Sequence, residues 1–315
     1  MLGEQPLNAV EVAQILHVGR NKVYELAQTG ELASYRIGRK LRFSQYDVQK
    51  YLEAQRHGIA EHASNSGKDS ESSVSYLKNR IQPEDGFVVA GTDVATNILG
   101  NGLSEAGLNV ECKRLNGFAA LIAMYLGEVD VALVDLYDAK TNSYNTAFVQ
   151  RLVPGMHVVV MSALERKRGF VVAQGNPKHI TTWGSLLKEG IRIAQQEYGA
   201  GGRVLLDQKI MMMEARNEAI EGYSGRATDE YEAARRVALG EADVAICTER
   251  AASLVAGVSF VPMQTERLDV VMRKTTGNRE LIRIAKKVIV SQEMRLAFEH
   301  TGGQCPRLGA VVYES

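Results

Sequence analysis

Apolar residues recur along this chain in two different rhythms. In the first, NAVEVAQIL (8–16) places Val12, Ile15 and Leu16 on one face of a helix, with Asn8 as its candidate cap. His17-Val18-Gly19 breaks that helix. Arg20 to Gln28 predicts a second short one, with Val23 and Leu26 turned inward and Gly30 closing it. LASYRIGRKLRFS then alternates around Gly38-Arg39-Lys40, the pattern of a hairpin. A last helix, Gln45 to Arg56, carries Val48, Tyr51 and Leu52 at helical spacing. Two helices joined by a turn and followed by a ribbon predict a winged helix-turn-helix over residues 1–56.

The second rhythm starts near Gly86, where short apolar runs are separated by helical stretches. FVVAG (87–91), LNVECKRL (108–115) and VDVALVDL (129–136) predict strands, and MHVVVMS (156–162) reads as a strand paired with GFVVAQG (169–175). After Thr181 the alternation restarts with IRIAQQ (191–196) and ADVAIC (242–247). It closes on VSFVPMQ, LDVVMR and two helices, Asn278 to Val290 and Gln292 to His300. Strands separated by helices make parallel sheet. Two such series, and one phrase written twice as LGEVDVALVD (126–135) and LGEADVAICT (239–248), predict an α/β body of two similar lobes. Lobe I takes in about 80–160 and 260–315, and lobe II about 161–259. Between head and body, HGIAEHASNSGKDSESSVS (57–75) is Ser-rich and nearly free of large apolar residues, so residues 57–79 read as a flexible linker.

Composition narrows the classes. The 315 residues carry 37 basic and 37 acidic side chains, which excludes a globally basic nucleic-acid coat, so any DNA contact rests on a local patch. Cys112, Cys247 and Cys305 are too scattered for a disulfide framework and fit a reducing compartment. Cys112 and Cys247, in or beside predicted strands, read as inert core thiols, and Met211-Met212-Met213 as helix packing. The acidic N-terminus lacks the pattern of a signal peptide, and no apolar run approaches membrane-spanning length. The expectation is a soluble, cytoplasmic protein with no membrane partner. Six histidines show no metal-ligand spacing, and neither a nucleophile elbow nor a Walker-type lysine occurs, so neither an enzyme nor a resident cofactor or metal is expected.

Every charged residue between Leu32 and Tyr46 is basic: Arg36, Arg39, Lys40 and Arg42. Beside the helix carrying Arg20, Asn21, Lys22 and Tyr24, this has the chemistry of duplex contact, with wing arginines on phosphates and Arg20 and Asn21 nearer base edges. A basic hairpin also serves simply as a solvated sheet edge.

In the body, the predicted strand ends carry Gly91-Thr92-Asp93, Asn116-Gly117, Tyr198-Gly199-Ala200-Gly201-Gly202-Arg203 and Arg226-Ala227-Thr228. Glycines permit close backbone approach, and free amides at helix starts donate to an anion. Gathered in one cleft, these turns would cradle a small oxyanion; taken singly, each is an ordinary tight connection. Asp93 reads first as a helix cap. Tyr144 and Asn145, in DAKTNSYNTAF, are candidates to close over the cleft or to pack as a polar loop on lobe I.

The segment from Leu7 to Tyr51, EVAQILHVGRNKVYELAQTGELASYRIGRKLRFSQYDVQKYL in its main part, resembles the excisionase-type branch of the MerR-like helix-turn-helix. The resemblance implies sequence-specific binding of duplex DNA. His17 and Gly19 depart from its usual small residue and capping serine. From about Gly86 to Tyr313, phrases such as NGFAALIAMYLGEVDVAL, YNTAFVQRLVPG, RGFVVAQGNPKHI, GAGGRVLLD and LGEADVAI resemble the periplasmic-binding-protein-like domain. That domain is found attached to cytoplasmic helix-turn-helix regulators and molybdopterin-biosynthesis proteins. This second resemblance implies a type II two-lobed binder of molybdate, tungstate or a comparable anion, whose closure alters DNA affinity. Ala200 and Gly202 stand where the family often has serine and threonine, leaving backbone amides and Arg203 as the donors.

Together these readings give a transcription regulator that grips an operator as a homodimer and answers to a small oxyanion. An organic anion or nucleotide-like effector is the alternative, as is an architectural DNA binder whose body only oligomerises.

Overall fold

The computed structural model describes residues 7–16, 19–28, 32, 34–37, 40–44, 48, 86–217 and 220–315, in two units divided between Ser72 and Ser73. In the first unit, α1 (Ala9–Leu16) begins with a capping box: Asn8 Oδ1 accepts from Val10 N (2.8 Å) and Glu11 N (3.2 Å), and Glu11 Oε2 accepts from Asn8 N (2.6 Å). Its buried face is Ala9, Val12 and Ala13, whereas Ile15 is 44% exposed. The expected inward Ile15 fails because 100° per residue puts it about 60° past Val12, on the side away from Ala9 and Ala13. Helix α2 (Arg20–Gln28) buries Val23 and Leu26. Strands β1 (Tyr35–Ile37) and β2 (Lys40–Arg42) pair antiparallel, with Ile37 opposite Lys40. Leu32, Phe43 and Val48 complete the small core. The rest of the helix predicted over 45–56, and the linker over 57–79, lie outside the described residues.

The second unit holds one long sheet in the order β4 (Val110–Lys113), β3 (Phe87–Ala90), β5 (Val131–Val134), β11 (Val258–Arg273), β8 (Val158–Ala173), β10 (Val244–Thr248), β9 (Ile193–Ala194), with β12 (Val311–Glu314) also pairing β8; β6 (Tyr137–Asp138) and β7 (Ser143–Tyr144) pair separately. At one end β3, β4 and β5 run parallel; at the other, β9 and β10 do. Two sixteen-residue antiparallel strands, β8 and β11, join these ends. The pairing expected between MHVVVMS and GFVVAQG is therefore wrong: they are the two halves of β8. The intervening LERKR stays extended because Leu164, Arg166 and Arg168 sit opposite Leu268, Glu266 and Gln264. A charged run that looks like a loop is paired strand.

Helices α3 (Val94–Glu105), α9 (Arg279–Ile289) and α10 (Gln292–Glu299) cover one face of lobe I, while α4 (Gly117–Tyr125) and α5 (Thr146–Leu152) cover the other. In lobe II the same roles fall to α6 (Gly201–Met212) and to α7 (Glu230–Ala238) with α8 (Glu249–Ser253). The duplicated phrase corresponds to one repeated device. Gly127 (φ 83°) and Gly240 (φ 74°) each end a helix in the left-handed region. After each, the chain closes a Schellman pair, Glu128 N to Ala123 O and Gly127 N to Met124 O, matched by Glu241 N to Arg236 O and Gly240 N to Val237 O. Both then enter a buried strand. Two packing expectations fail: Met211 and Met212 are exposed, only Met213 joining the core, and Cys112 lies on edge strand β4, exposed. Cys247 is buried as expected.

Candidate functional site

The C-terminal ends of β3, β4 and β5 face those of β9 and β10 across the long strands, enclosing a cleft of about 300 Å³. Open α/β sheets place their ligand sites at such strand ends. Among the sequence candidates, Thr92, Asp93, Ala200, Gly201 and Thr228 line this cleft. Asn116 is not among the lining residues; it caps α4 by accepting from Ala119 N (3.0 Å) and donates to Glu197 Oε1 (2.9 Å) and the Tyr198 carbonyl (3.0 Å). Gly117 lies beside it, its missing β-carbon 3.3 Å from Asp135 Oδ1.

Other candidates sit elsewhere. Asn145 is fully buried at φ 68°; its side chain accepts from Leu136 N (2.7 Å) and donates to Asp269 Oδ2 (2.8 Å), tying the end of β5 to β11. Tyr144 is buried with its hydroxyl on Gln264 Nε2 and lines a separate cavity with Tyr137 and Arg267. Neither closes over the cleft. Arg203 does not reach it either, because its buried guanidinium is sandwiched between the rings of Tyr198 (4.2 Å) and Tyr223 (4.1 Å) and donates to the Tyr223 carbonyl (3.0 Å). Arg226 is exposed above the Tyr198 ring. Gly202 is buried behind the cleft wall, where a β-carbon would strike the Ile246 carbonyl and Gln196.

The floor is made by residues that the sequence pattern did not single out. Arg166 and Arg168, two apart on β8, project to the same side and are buried. Arg166 pairs with Asp93, with Glu266 (2.7 Å) and more distantly with Asp135 (3.8 Å). Arg168 pairs with Glu266, Glu230 (2.6 Å) and Asp135 (3.1 Å). Asp93 also caps α3, accepting from Ala95 N (2.8 Å). Glu230 accepts from Thr248 N and Oγ1 at 2.9 and 2.7 Å.

Four carboxylates thus surround two guanidinium groups, an excess of two negative charges when all four are ionised. The proton affinities follow from that geometry. Burial opposes ionisation of Asp93 and Glu230, yet their arginines and amide donors hold both below the usual carboxylate range. For Asp135, burial and the Glu266 carboxylate win over Arg168 and Arg166, and its pKa is pushed up to about 7. Alternation in ERKRGF could have placed Arg166 and Arg168 on one face, but nothing in the sequence pairs them with Glu266 or Asp135. Among the described residues, no three His, Cys, Asp or Glu side chains converge as a metal site.

On the first unit, Arg20, Lys22 and Tyr24 are exposed along the first turns of α2, with Arg20 Nη2 donating to Tyr24 Oη (3.1 Å). Asn21 shares that helix. Arg36 lies on β1, and Lys40 and half-buried Arg42 on β2. Arg39 lies outside the described residues.

A two-helix DNA-reading unit and a two-lobed α/β body with a polar interlobe cleft define a helix-turn-helix protein with a ligand-binding domain. The chain belongs to the PBP superfamily, whose domain model matches residues 101–290, and a helix-turn-helix domain model matches residues 7–56. It is 32% identical over 307 residues, 97% of each chain, to the uncharacterized protein YvgK of Bacillus subtilis (strain 168). It is also 31% identical over 100 residues to an uncharacterized protein in the ferredoxin 2Fe-2S gene 5′ region of Clostridium pasteurianum, covering 32% of this chain and 88% of that one. Among solved structures, the sulfate-binding protein SubI from Mycobacterium tuberculosis H37Rv matches with TM-score 0.48 and 14% identity, over 69% of this chain and 85% of that one. A mutant of OxyR from Corynebacterium glutamicum matches with TM-score 0.47 and 15% identity, over 93% and 88%. Among the described residues, no helix is long and apolar enough to cross a membrane.

Proposed function

We propose that this protein is a transcription regulator in the cytoplasm, not an enzyme, whose interlobe cleft binds a small effector and thereby changes operator affinity. The observation that carries the reading is a cleft built from helix starts and strand ends of two lobes, on the same chain as a helix-turn-helix. Effector closure has differential affinity for open and closed bodies, which is the coupling such a switch requires. Binding as a homodimer fits the few base pairs one short helix can read. The test is operator binding by the full chain, measured by fluorescence anisotropy with and without effector. An unchanged dissociation constant at saturating effector rejects the coupling. Arg39→Ala should weaken binding to all duplexes alike and lower the salt slope by about one.

A second reading names the effector as molybdate or tungstate. It is supported by the start of α6, where Ala200 brings no side-chain acceptor to the first amides, and by the guanidinium groups of Arg166 and Arg168. The surrounding carboxylates oppose it.

A further inference from the structure

The place where an oxyanion would sit already holds a carboxylate. Gly117 and Gly201 are the first residues of helices in opposite lobes, and the Asp135 side chain lies against both. A β-carbon on Gly201 would fall 2.3 Å from Asp135 Oδ2, and one on Gly117 3.3 Å from Oδ1. Only glycine lets the carboxylate approach so closely, and the positive ends of two helix dipoles meet it there. Meanwhile both buried arginines are already matched by Asp93, Glu230 and Glu266 as well as Asp135. Toward the mouth, Arg114 pairs with Asp229 and Arg250 donates to the His300 carbonyl, so an entering oxyanion would meet six carboxylates, Glu197 among them, against four guanidinium groups, in a site where charges are poorly screened.

We infer that Asp135 is the resident anion of the interlobe seat and that the effector of this cleft is a compact organic cation, bearing an ammonium or guanidinium group. The inference rests on reading the cleft as the effector site. An organic cation fits better than a metal ion because these carboxylates are spread around two arginines rather than gathered as ligands. A group with several N–H donors can span such dispersed acceptors, whereas a metal ion cannot. The cleft, about 300 Å³, suits a molecule of amino-acid size.

The experiment uses the full chain at pH 8, where Asp135 is ionised, with melting shifts and calorimetric titration at constant ionic strength. The probes are putrescine, agmatine and arginine methyl ester on one side, and sodium molybdate, tungstate and sulfate on the other. At least one cation should bind and raise the melting temperature by several degrees, with the oxyanions inert. Asp135→Asn should weaken that cation at least tenfold and raise oxyanion affinity at least tenfold. Glu230→Gln, which keeps the shape and removes a different charge, should also weaken the cation. Oxyanion binding by the wild type, indifferent to Asp135→Asn, overturns the inference and leaves the sensor reading standing. No response to either class, in a chain that still binds DNA, overturns both.

Discussion

In lobe I the run from Leu126 turns at Gly127, enters β5 and ends at Asp135. In lobe II the run from Leu239 turns at Gly240, enters β10 and ends at Thr248. The two residues occupy equivalent places in the repeat, and both line the cleft. Thr248 caps α8 and donates to Glu230, so its hydroxyl is fully used within lobe II. Asp135 instead reaches the helix starts of both lobes and the two buried arginines. The same backbone device thus delivers a neutral, locally satisfied group on one side and a charge that joins the lobes on the other. What distinguishes the lobes is the chemistry at the strand ends rather than the scaffold.

The sharpest way to break this comparison is to remove the counter-charge. Arg168→Met leaves Glu266, Glu230 and Asp135 short of a partner, and should cost about 3–5 kcal/mol in urea unfolding. A loss below about 1 kcal/mol would mean the carboxylates escape to water and the cluster is not a buried unit.

Next comes pH. Asp135 ionises at about 7 in the folded chain against 3.8 for the ordinary group, so the folded state holds the extra proton between those values. Its contribution is therefore present at the acid end and lost as pH rises from about 4 to 7. That loss is on the order of 2 kcal/mol, discounted from the roughly 4 that the full shift would give. Asp93 and Glu230, held low, act in the opposite sense, stabilising above about pH 4 and failing below it. Melting curves from pH 5 to 8 should show the Asp135 decline, and Asp135→Asn should flatten it. Persistence of the slope in that variant would assign it to another group.

Gly201→Ala tests the close approach directly. The added methyl meets Asp135 and should cost about 1–3 kcal/mol, most of it recovered in an Asp135→Ala background. Additive losses in the double variant would refute the contact. The smallest effect tests the likeness of the lobes: Gly127→Ala and Gly240→Ala should each cost about 1 kcal/mol, since both sit at positive φ with nothing closer than 3.4 Å in the way. Clearly unequal losses, by thermal or urea unfolding, would show that the two turns are not equivalent.

Much of the scaffold was legible in the chain because it is written in short-range terms. Apolar runs between helical stretches, the Asn8 cap and the glycine that ends each repeated helix all act within one or two turns of backbone. The strand-end turns at Thr92, Asp93, Ala200, Gly201 and Thr228 were readable for the same reason. Tyr144, Asn145 and Arg203 misled, because a polar residue at a turn looks alike whether it faces ligand or satisfies buried backbone. The continuity of β8 was hidden by its own charges, which separate two apolar runs that read as two paired strands until Glu266 is seen opposite Arg166.

The sequence by itself determined two repeated lobes, a DNA-reading head and the set of turns available to a ligand. Only the tertiary structure decided the sign of the cleft. Asp93, Asp135, Arg166, Arg168, Glu230 and Glu266 are spread over more than 170 positions, and the chain as a whole is electrically neutral. Coulomb interactions depend on distance in space and on burial, and neither is recorded in linear order. Folding alone brought those six side chains together, with two more carboxylates than guanidinium groups.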